Sequence, residues 1–239
     1  MLKLFAMSST PDPKSGVQMK QGPSIFSHPL FWVVTILALF SIPLVASLRS
    51  PPIDVPPVLG QMNDFELTSQ EGRKITRKDF HGSVLVVNFI FSKCPDVCPL
   101  LNKQMSEIQA RLKGTAKAIQ LVSISVDPQN DTPDVLRKYS AQFNADPRLW
   151  TFLSGPLDKI LKVVVDDFKQ ALDGQKLTTL EDRMDGMMEI THSEKFVLVD
   201  QSGQIRAYMT ANSPEDVNKI LKKVAILANT EPSAAPAAR

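Results

Sequence analysis

The two cysteines of this 239-residue chain, Cys94 and Cys98, lie in one short motif, Cys-Pro-Asp-Val-Cys-Pro. Because three residues separate them, a helix beginning within the motif places both thiols on one face, about one turn apart. A thiol pair at this spacing can bind a soft metal ion or form a disulfide. An inert structural disulfide would close a loop too short to constrain the unfolded chain much. The pair therefore indicates chemistry rather than scaffolding.

The sequence on either side of the motif places it at the edge of a sheet. Residues 83–91, SVLVVNFIF, form a β-branched apolar run that is typical of a buried strand. From Val97 to about Lys113, apolar residues recur at helical spacing. Sites of α/β folds lie where such a strand leads into a helix, and a helix N-terminus stabilises a thiolate. Lys93 precedes the first cysteine and is expected to lower its thiol pKa.

The rest of the pattern predicts one α/β domain. Its order is a βαβ unit followed by a ββα unit, with extra elements, which is the thioredoxin-like fold: a central mixed sheet flanked by helices. An early hairpin is predicted around Glu71-Gly72. The elements predicted after the motif are a strand (118–126), a helix capped by Thr132, a strand (149–153), a helix (156–168), a hairpin around 200–203 and a helix capped by Ser213.

His192 is the histidine best placed to join the cysteines. His28 precedes a long apolar segment and His81 precedes the first buried strand, whereas His192 opens the strand 196–199 after a long predicted loop. In a thioredoxin-like layout this loop faces the cysteine motif. Two thiolates and one imidazole form a soft, three-coordinate set suited to Cu(I). Structural zinc requires four protein ligands, and no fourth is evident.

Three acidic or basic residues are predicted neighbours of the site. Lys93 and Asp96 belong to the cysteine motif, and Asp127 closes the second buried strand at the same sheet edge. Asp127 either lines the site or forms the turn that leads to the next helix.

Three methionines crowd the predicted loop before the histidine: Met184, Met187 and Met188. Thioether sulfur is a soft copper ligand, so transient contact with copper is one reading. Methionine also fills gaps in packing, which is the more common role. The sequence leaves both readings open.

The N-terminal part predicts a membrane anchor. No charged residue occurs between Lys20 and Arg49, and the mainly apolar run of 19 residues at 30–48, at about 1.5 Å per residue, spans the hydrocarbon layer of about 30 Å. A cleaved signal peptide is the alternative, but the leader and the apolar run are both too long for one. The predicted segments are a cytoplasmic leader (1–29), a transmembrane helix (30–48), a Pro-rich linker (49–61), the thioredoxin-like domain (62–228) and a disordered tail (229–239).

Charge determines the predicted orientation and excludes one class of partner. Lysines before the apolar run keep the N-terminus in the cytoplasm, so the domain faces the periplasm of a bacterial inner membrane. The net charge of the chain is +2, and most of it lies in the leader. No basic surface remains for a nucleic acid.

Three segments together resemble the Sco/SenC family. They are residues 94–99 (CPDVCP), residues 125–133 (SVDPQNDTP) and His192-Ser193, within a resemblance that covers roughly residues 58–227. The resemblance implies a membrane-anchored copper chaperone with Cys94, Cys98 and His192 as copper ligands. It also implies action on subunit II of cytochrome c oxidase, by delivery of copper or by reduction of its cysteines, or on another cuproprotein. The implied further partners are other periplasmic copper chaperones or thiol reductants.

The chain departs from the family pattern at two places, and two other functions remain open. Thr191 stands where the family commonly has Asp, and Ser92-Lys93 where it commonly has Thr-His. A periplasmic thiol-disulfide oxidoreductase would use Cys94 to attack and Cys98 to resolve the mixed disulfide. A peroxidase-like or redox-sensing relative would use the same cysteines. A chaperone exchanges ligands and turns over no substrate, so the leading hypothesis is not an enzyme.

Overall fold

The computed structural model describes residues 29–48, 54–95, 97–114, 118–169, 176–192 and 194–230. The chain divides into two compact units, one up to Pro52 and one from Ile53 onward. The cysteine motif belongs to the second unit.

Helix α1 (Pro29–Leu48) is the described part of the first unit. Large apolar side chains are exposed along it, among them Leu37, Leu39 and Phe40, which are 63%, 69% and 69% exposed. No helix in the described part of the chain is both long enough and apolar enough to cross a membrane. The membrane span at 30–48 stays a prediction, and the predicted leader lies outside the described residues except for Pro29.

The strands of the second unit form one mixed sheet, in the order β1-β8-β7-β4-β5-β6-β2-β3. Strand β4 (Val84–Ile90) pairs in parallel with β5 (Ile119–Ser125), which pairs in parallel with β6 (Trp150–Ser154). The antiparallel strands on either side are β7 (Lys195–Val199), β8 (Gln204–Thr210) and β1 (Gly60–Gln61) next to β4, and β2 (Glu66–Ser69) and β3 (Lys74–Thr76) next to β6. The predicted central mixed sheet is confirmed.

Helices cover both faces of this sheet, because alternate residues of the buried strands point to opposite sides. One side, the cysteine-side layer, contains both cysteines and side chains from α2 (Val97–Leu112), α3 (Pro133–Gln142) and α6 (Pro214–Asn229). The other side, the opposite layer, contains side chains from α4 (Leu157–Leu161), a π-helix (Lys162–Lys169) and α5 (Leu180–His192). All of β4 is buried, with Val84, Val86 and Ile90 in the cysteine-side layer and Leu85, Val87 and Phe89 in the opposite layer.

Two of the helices begin at the predicted caps. The Thr132 hydroxyl accepts a hydrogen bond from the Val135 amide at 3.4 Å, and the Ser213 hydroxyl accepts one from the Asp216 amide at 3.2 Å. Each cap is followed by proline, whose fixed φ suits the first helical position. The helix α3 therefore starts directly behind the edge of the sheet at which the cysteines lie.

The helix predicted at 156–168 has two parts. It starts as α4 and continues as the π-helix, in which the hydrogen bonds span one residue more. Within the π-helix, the buried Asp167 accepts hydrogen bonds from the Asn63 amide at 2.9 Å and from its Nδ2 at 2.6 Å. Burial raises the pKa of Asp167 to about 6.

The folded unit begins before residue 62, where the sequence predicts its boundary. β1 lies within the predicted linker and pairs with β8, and the Leu59 amide donates to the Ile205 carbonyl at 2.8 Å. Further back, the buried Arg206 donates through Nε to the Pro56 carbonyl at 2.8 Å. From residue 54, the described part of the predicted linker therefore packs on the domain rather than extending from it.

Candidate functional site

The cysteine pair lies at the predicted place, between β4 and α2. The Cys94 amide donates to the Phe91 carbonyl at 3.1 Å, which turns the chain after β4, and Cys98 lies in the first turn of α2. Both side chains are buried, at 9% and 0% exposure, and no disulfide joins them. The two thiols are neighbours, and Cys94 contributes to the raised pKa of Cys98. The structure thus brings together a buried dithiol at the sheet edge.

The charge state of the second thiol differs from the prediction. Burial, which is the largest cause, together with the neighbouring Cys94 and Asp131 raises the pKa of Cys98 to about 12, although the Phe91 backbone acts in the opposite direction. At neutral pH Cys98 is therefore a thiol, although it lies at a helix N-terminus. Burial outweighs the helix dipole here because the dipole contributes at most about 2 kcal/mol, and a pKa shift of about 2 units already exceeds that contribution.

Lys93 does not contact the cysteines through its ammonium group. It is exposed, and its Nζ donates to the Asn130 Oδ1 at 2.5 Å. Asp127 belongs to the same turn, because its carboxylate accepts from Asn130 Nδ2 at 3.0 and 2.8 Å and its carbonyl accepts from the Asn130 amide at 3.1 Å. The turn reading of Asp127 is thus the one that the contacts support. Asp96 lies outside the described residues.

Asp131 is the residue of this site that the sequence reasoning missed. Its side chain is 0% exposed and accepts hydrogen bonds from the Ser92 amide at 3.1 Å and from the Ser92 hydroxyl. The Ser125 hydroxyl donates to the same carboxylate at 2.5 Å. Asp131 therefore connects the loop before the first cysteine to the end of β5. Its position within the 125–133 segment could have indicated this role, but an aspartate in such a segment is equally typical of a turn.

His192 is the last residue of helix α5, and its side chain is exposed. The prediction of a long loop before it is wrong, because residues 180–192 are helical. Thr179 caps this helix by accepting from the Asp182 amide at 3.1 Å. Gly186 lets the helix pack closely, since a Cβ there would lie 2.3 Å from Leu177 Cδ1.

The structure does not bring His192 to the cysteines. Within the described part of the chain, no three His, Cys, Asp or Glu side chains lie close enough together to hold a metal ion. All three predicted ligands are described residues, so the set of two thiols and one imidazole is not assembled here. The ligand role of His192 stays a prediction.

The three methionines before the histidine have separate environments on α5. Met187 is 1% exposed and packs in the opposite layer, Met184 packs partly buried against that layer, and Met188 is 37% exposed. Helical spacing turns the first two toward the core. Packing therefore accounts for Met184 and Met187, and Met188 is the exposed member of the three.

Comparison with known proteins identifies the family of this fold and site. The family model described as SCO1/SenC matches residues 59–229. A SCO2-like protein of Rickettsia felis is 31% identical over 190 residues, which cover 75% of this chain and 87% of the relative.

Solved structures agree with this match. A SCO1/SenC family lipoprotein from Bacillus anthracis superposes with a TM-score of 0.59 at 29% identity, covering 72% of this chain and 98% of that chain. Yeast Sco1, solved with copper bound, superposes with a TM-score of 0.50 at 26% identity, covering 71% of this chain and 94% of that chain. The resemblance seen in the sequence is confirmed, and so is the thioredoxin-like fold that the order of strands and helices predicts for the domain.

Proposed function

Since the chain belongs to the SCO1/SenC family, we propose that it binds copper through Cys94 and Cys98 and passes it on during the assembly of cytochrome c oxidase. Sco family proteins take part in the copper assembly of that enzyme. The observation that carries the proposal is the buried dithiol at the start of α2. Copper is then cargo, which enters and leaves by exchange of ligands.

The donor set fits Cu(I). The two neighbouring buried sulfur atoms supply soft ligands, which Cu(I) prefers over oxygen donors. We propose that His192, exposed at the end of α5, supplies the third ligand when copper binds. Because the Cys98 thiol carries its proton at neutral pH, loading also releases that proton.

We further propose where the protein works and on what. The apolar exposed side chains of α1 support a single-pass anchor in a bacterial inner membrane, with the domain in the periplasm. There the client is subunit II of cytochrome c oxidase or another cuproprotein, which receives copper or has its cysteines reduced beforehand. A periplasmic copper chaperone supplies copper to the domain, or a periplasmic thiol reductant keeps its two cysteines reduced.

A Cu(I) titration of the 239-residue chain in detergent micelles tests this function. We expect near-stoichiometric binding by the reduced wild type and its loss when Cys94 and Cys98 are both replaced by Ser. His192→Ala is expected to weaken binding, and His81→Ala is the matched control, because His81 precedes β4 whereas the cysteines follow it. If the reduced wild type binds no Cu(I), the proposal is wrong.

The same variants separate the oxidoreductase alternative, which the vicinal dithiol alone also permits. A copper carrier keeps its dithiol–disulfide equilibrium in His192→Ala while its copper affinity falls. An oxidoreductase with no copper role would show wild-type exchange with a small dithiol and no copper affinity in either protein.

A further inference from the structure

A row of hydrogen-bonded polar side chains crosses the otherwise apolar cysteine-side layer. We name it the polar row; its members are Trp150, Ser123, Asn88 and Asn102, each 0% exposed, and Tyr139 at 6%. They come from β6, β5, β4, α2 and α3 in turn. A buried polar group costs about 1–3 kcal/mol when its partner is absent, so a row like this persists only if each member is paired.

The polar row has a fixed direction. The Trp150 indole N–H, which can only donate, donates a hydrogen bond to Ser123 Oγ at 2.9 Å. The Ser123 hydroxyl then donates to Asn88 Oδ1 at 2.6 Å, and Asn88 Nδ2 donates to Asn102 Oδ1 at 2.9 Å. Finally, Asn102 Nδ2 donates to the Tyr139 oxygen at 3.0 Å. Since each member donates a hydrogen bond to the next, the O–H of Tyr139 is left pointing out of the row.

The end of the polar row lies beside the cysteines. Asn102 follows Cys98 by one helical turn on α2, and Tyr139 packs in the same apolar layer as both thiols. Burial raises the pKa of Tyr139, and the charged forms of Cys98, Cys94 and Asp131 raise it further. The phenol therefore keeps its proton at neutral pH, and these three groups are its titratable neighbours.

Two contacts favour one acceptor among these neighbours. The Asp131 carboxylate already receives hydrogen bonds from Ser92 and Ser125. Cys98 lies one turn before Asn102 on the same helical face, and the Asn102 amide group lies 3.0 Å from the Tyr139 oxygen. The ring of Tyr139 is also held in place, because it makes edge contacts with Phe143 at 5.2 Å and Phe152 at 6.3 Å between centroids.

We propose that Tyr139 is a positioning residue for the dithiol, whose O–H, aimed by the polar row, donates a hydrogen bond to the sulfur of Cys98 when that sulfur binds copper. This inference rests on the proposed copper-binding function. A hydrogen bond to a metal-bound sulfur withdraws electron density from it, which alters the spectrum and the redox potential of the metal. The polar row would thus determine how strongly the Cys98 sulfur donates electron density to copper.

The test compares the two tyrosines of the chain. Tyr139→Phe removes only the hydroxyl, and Tyr208→Phe is the matched control, because Tyr208 donates instead to the Phe168 carbonyl at 2.6 Å. In chains loaded with Cu(II), we expect Tyr139→Phe to move the sulfur-to-copper charge-transfer band to lower energy and to lower the copper reduction potential. Tyr208→Phe should change neither. A wild-type band and potential in copper-loaded Tyr139→Phe would overturn the inference.

A second measurement needs no copper and separates failure of this inference from failure of the proposed function. In Tyr208→Phe, the remaining tyrosine hydroxyl belongs to Tyr139, and proton NMR of the reduced chain should show its nuclear Overhauser effect to the β-protons of Cys98. If wild type shows no copper charge-transfer band but this effect is present, the function fails and the placement of Tyr139 stands. If the effect is absent, the placement fails whatever the copper result.

Discussion

Replacement of Asp131 by Ala should destabilise the domain far more than replacement of its neighbour Asp127. In Asp131→Ala, the Ser92 amide and the buried Ser125 hydroxyl lose their acceptor. The Ser92 hydroxyl loses the same acceptor. An unsatisfied buried donor costs about 1–3 kcal/mol and Ser92 is only partly buried, so we expect the three lost bonds together to cost about 3 kcal/mol after local relaxation. Asp127→Ala removes only contacts to the exposed Asn130, and about 0.5 kcal/mol is expected.

Urea unfolding followed by the fluorescence of Trp150 measures this difference. The chain has two tryptophans, and a Trp32→Phe background leaves only the buried Trp150 as the probe. With a slope of about 2 kcal/mol/M, a loss of about 3 kcal/mol lowers the midpoint by about 1.5 M urea. Asp131→Asn keeps one oxygen acceptor and should fall between wild type and Asp131→Ala. Equal midpoints for Asp131→Ala and Asp127→Ala, at unchanged slope, would refute the connecting role of Asp131.

Three further outcomes are expected. Asp167 has a pKa of about 6 in the fold against 3.8 as its usual value, so the native state binds more protons in that interval and this carboxyl's contribution to stability falls as pH rises through it. Asp167→Asn should remove this decline, worth about 2–3 kcal/mol between pH 4 and pH 7, and stability curves that stay parallel to wild type would contradict the reasoning. Met187→Ala should cost about 2–5 kcal/mol of unfolding free energy because it leaves a cavity, whereas Met188→Ala should cost about 0.5 kcal/mol; Cu(I) stoichiometry should stay unchanged in Met187→Ala, and a fall in stoichiometry would revive the ligand reading. Thr179→Ala should weaken the start of α5 by about 1 kcal/mol, seen as faster amide hydrogen exchange in residues 180–192; unchanged exchange would show that the cap contributes nothing to this helix.

The strands and helices around the cysteines could be predicted because local sequence determines them. β4 and β5 are β-branched runs buried on both faces, and Thr132 and Ser213 act as caps through hydrogen bonds to residues three positions away. These signals need no knowledge of the rest of the fold. The position of the dithiol between β4 and α2 follows directly from them.

Helix α5 and the role of Asp131 could not be predicted in the same way. The helix contains Gly186, which weakens the local preference for helix. The side chain of Leu177 packs closely against this position, which the absence of a Cβ allows. Asp131 lies 39 residues from Ser92, and only the parallel pairing of β4 with β5 brings the two together. The π-helix spans only 8 residues, which is too short for its wider turn to be distinguished in the sequence from that of an ordinary helix.

The short strand β1 has a consequence for the solubility of the domain. β8 is the strand next to the end of the sheet, and Gly60–Gln61 occupy part of its outer edge, with the Arg206 bond to Pro56 extending the cover. An open edge offers unpaired amide and carbonyl groups to any other strand and so promotes self-association. A fragment that begins at residue 62 would lose this protection, whereas a fragment that begins at residue 54 would keep the edge closed.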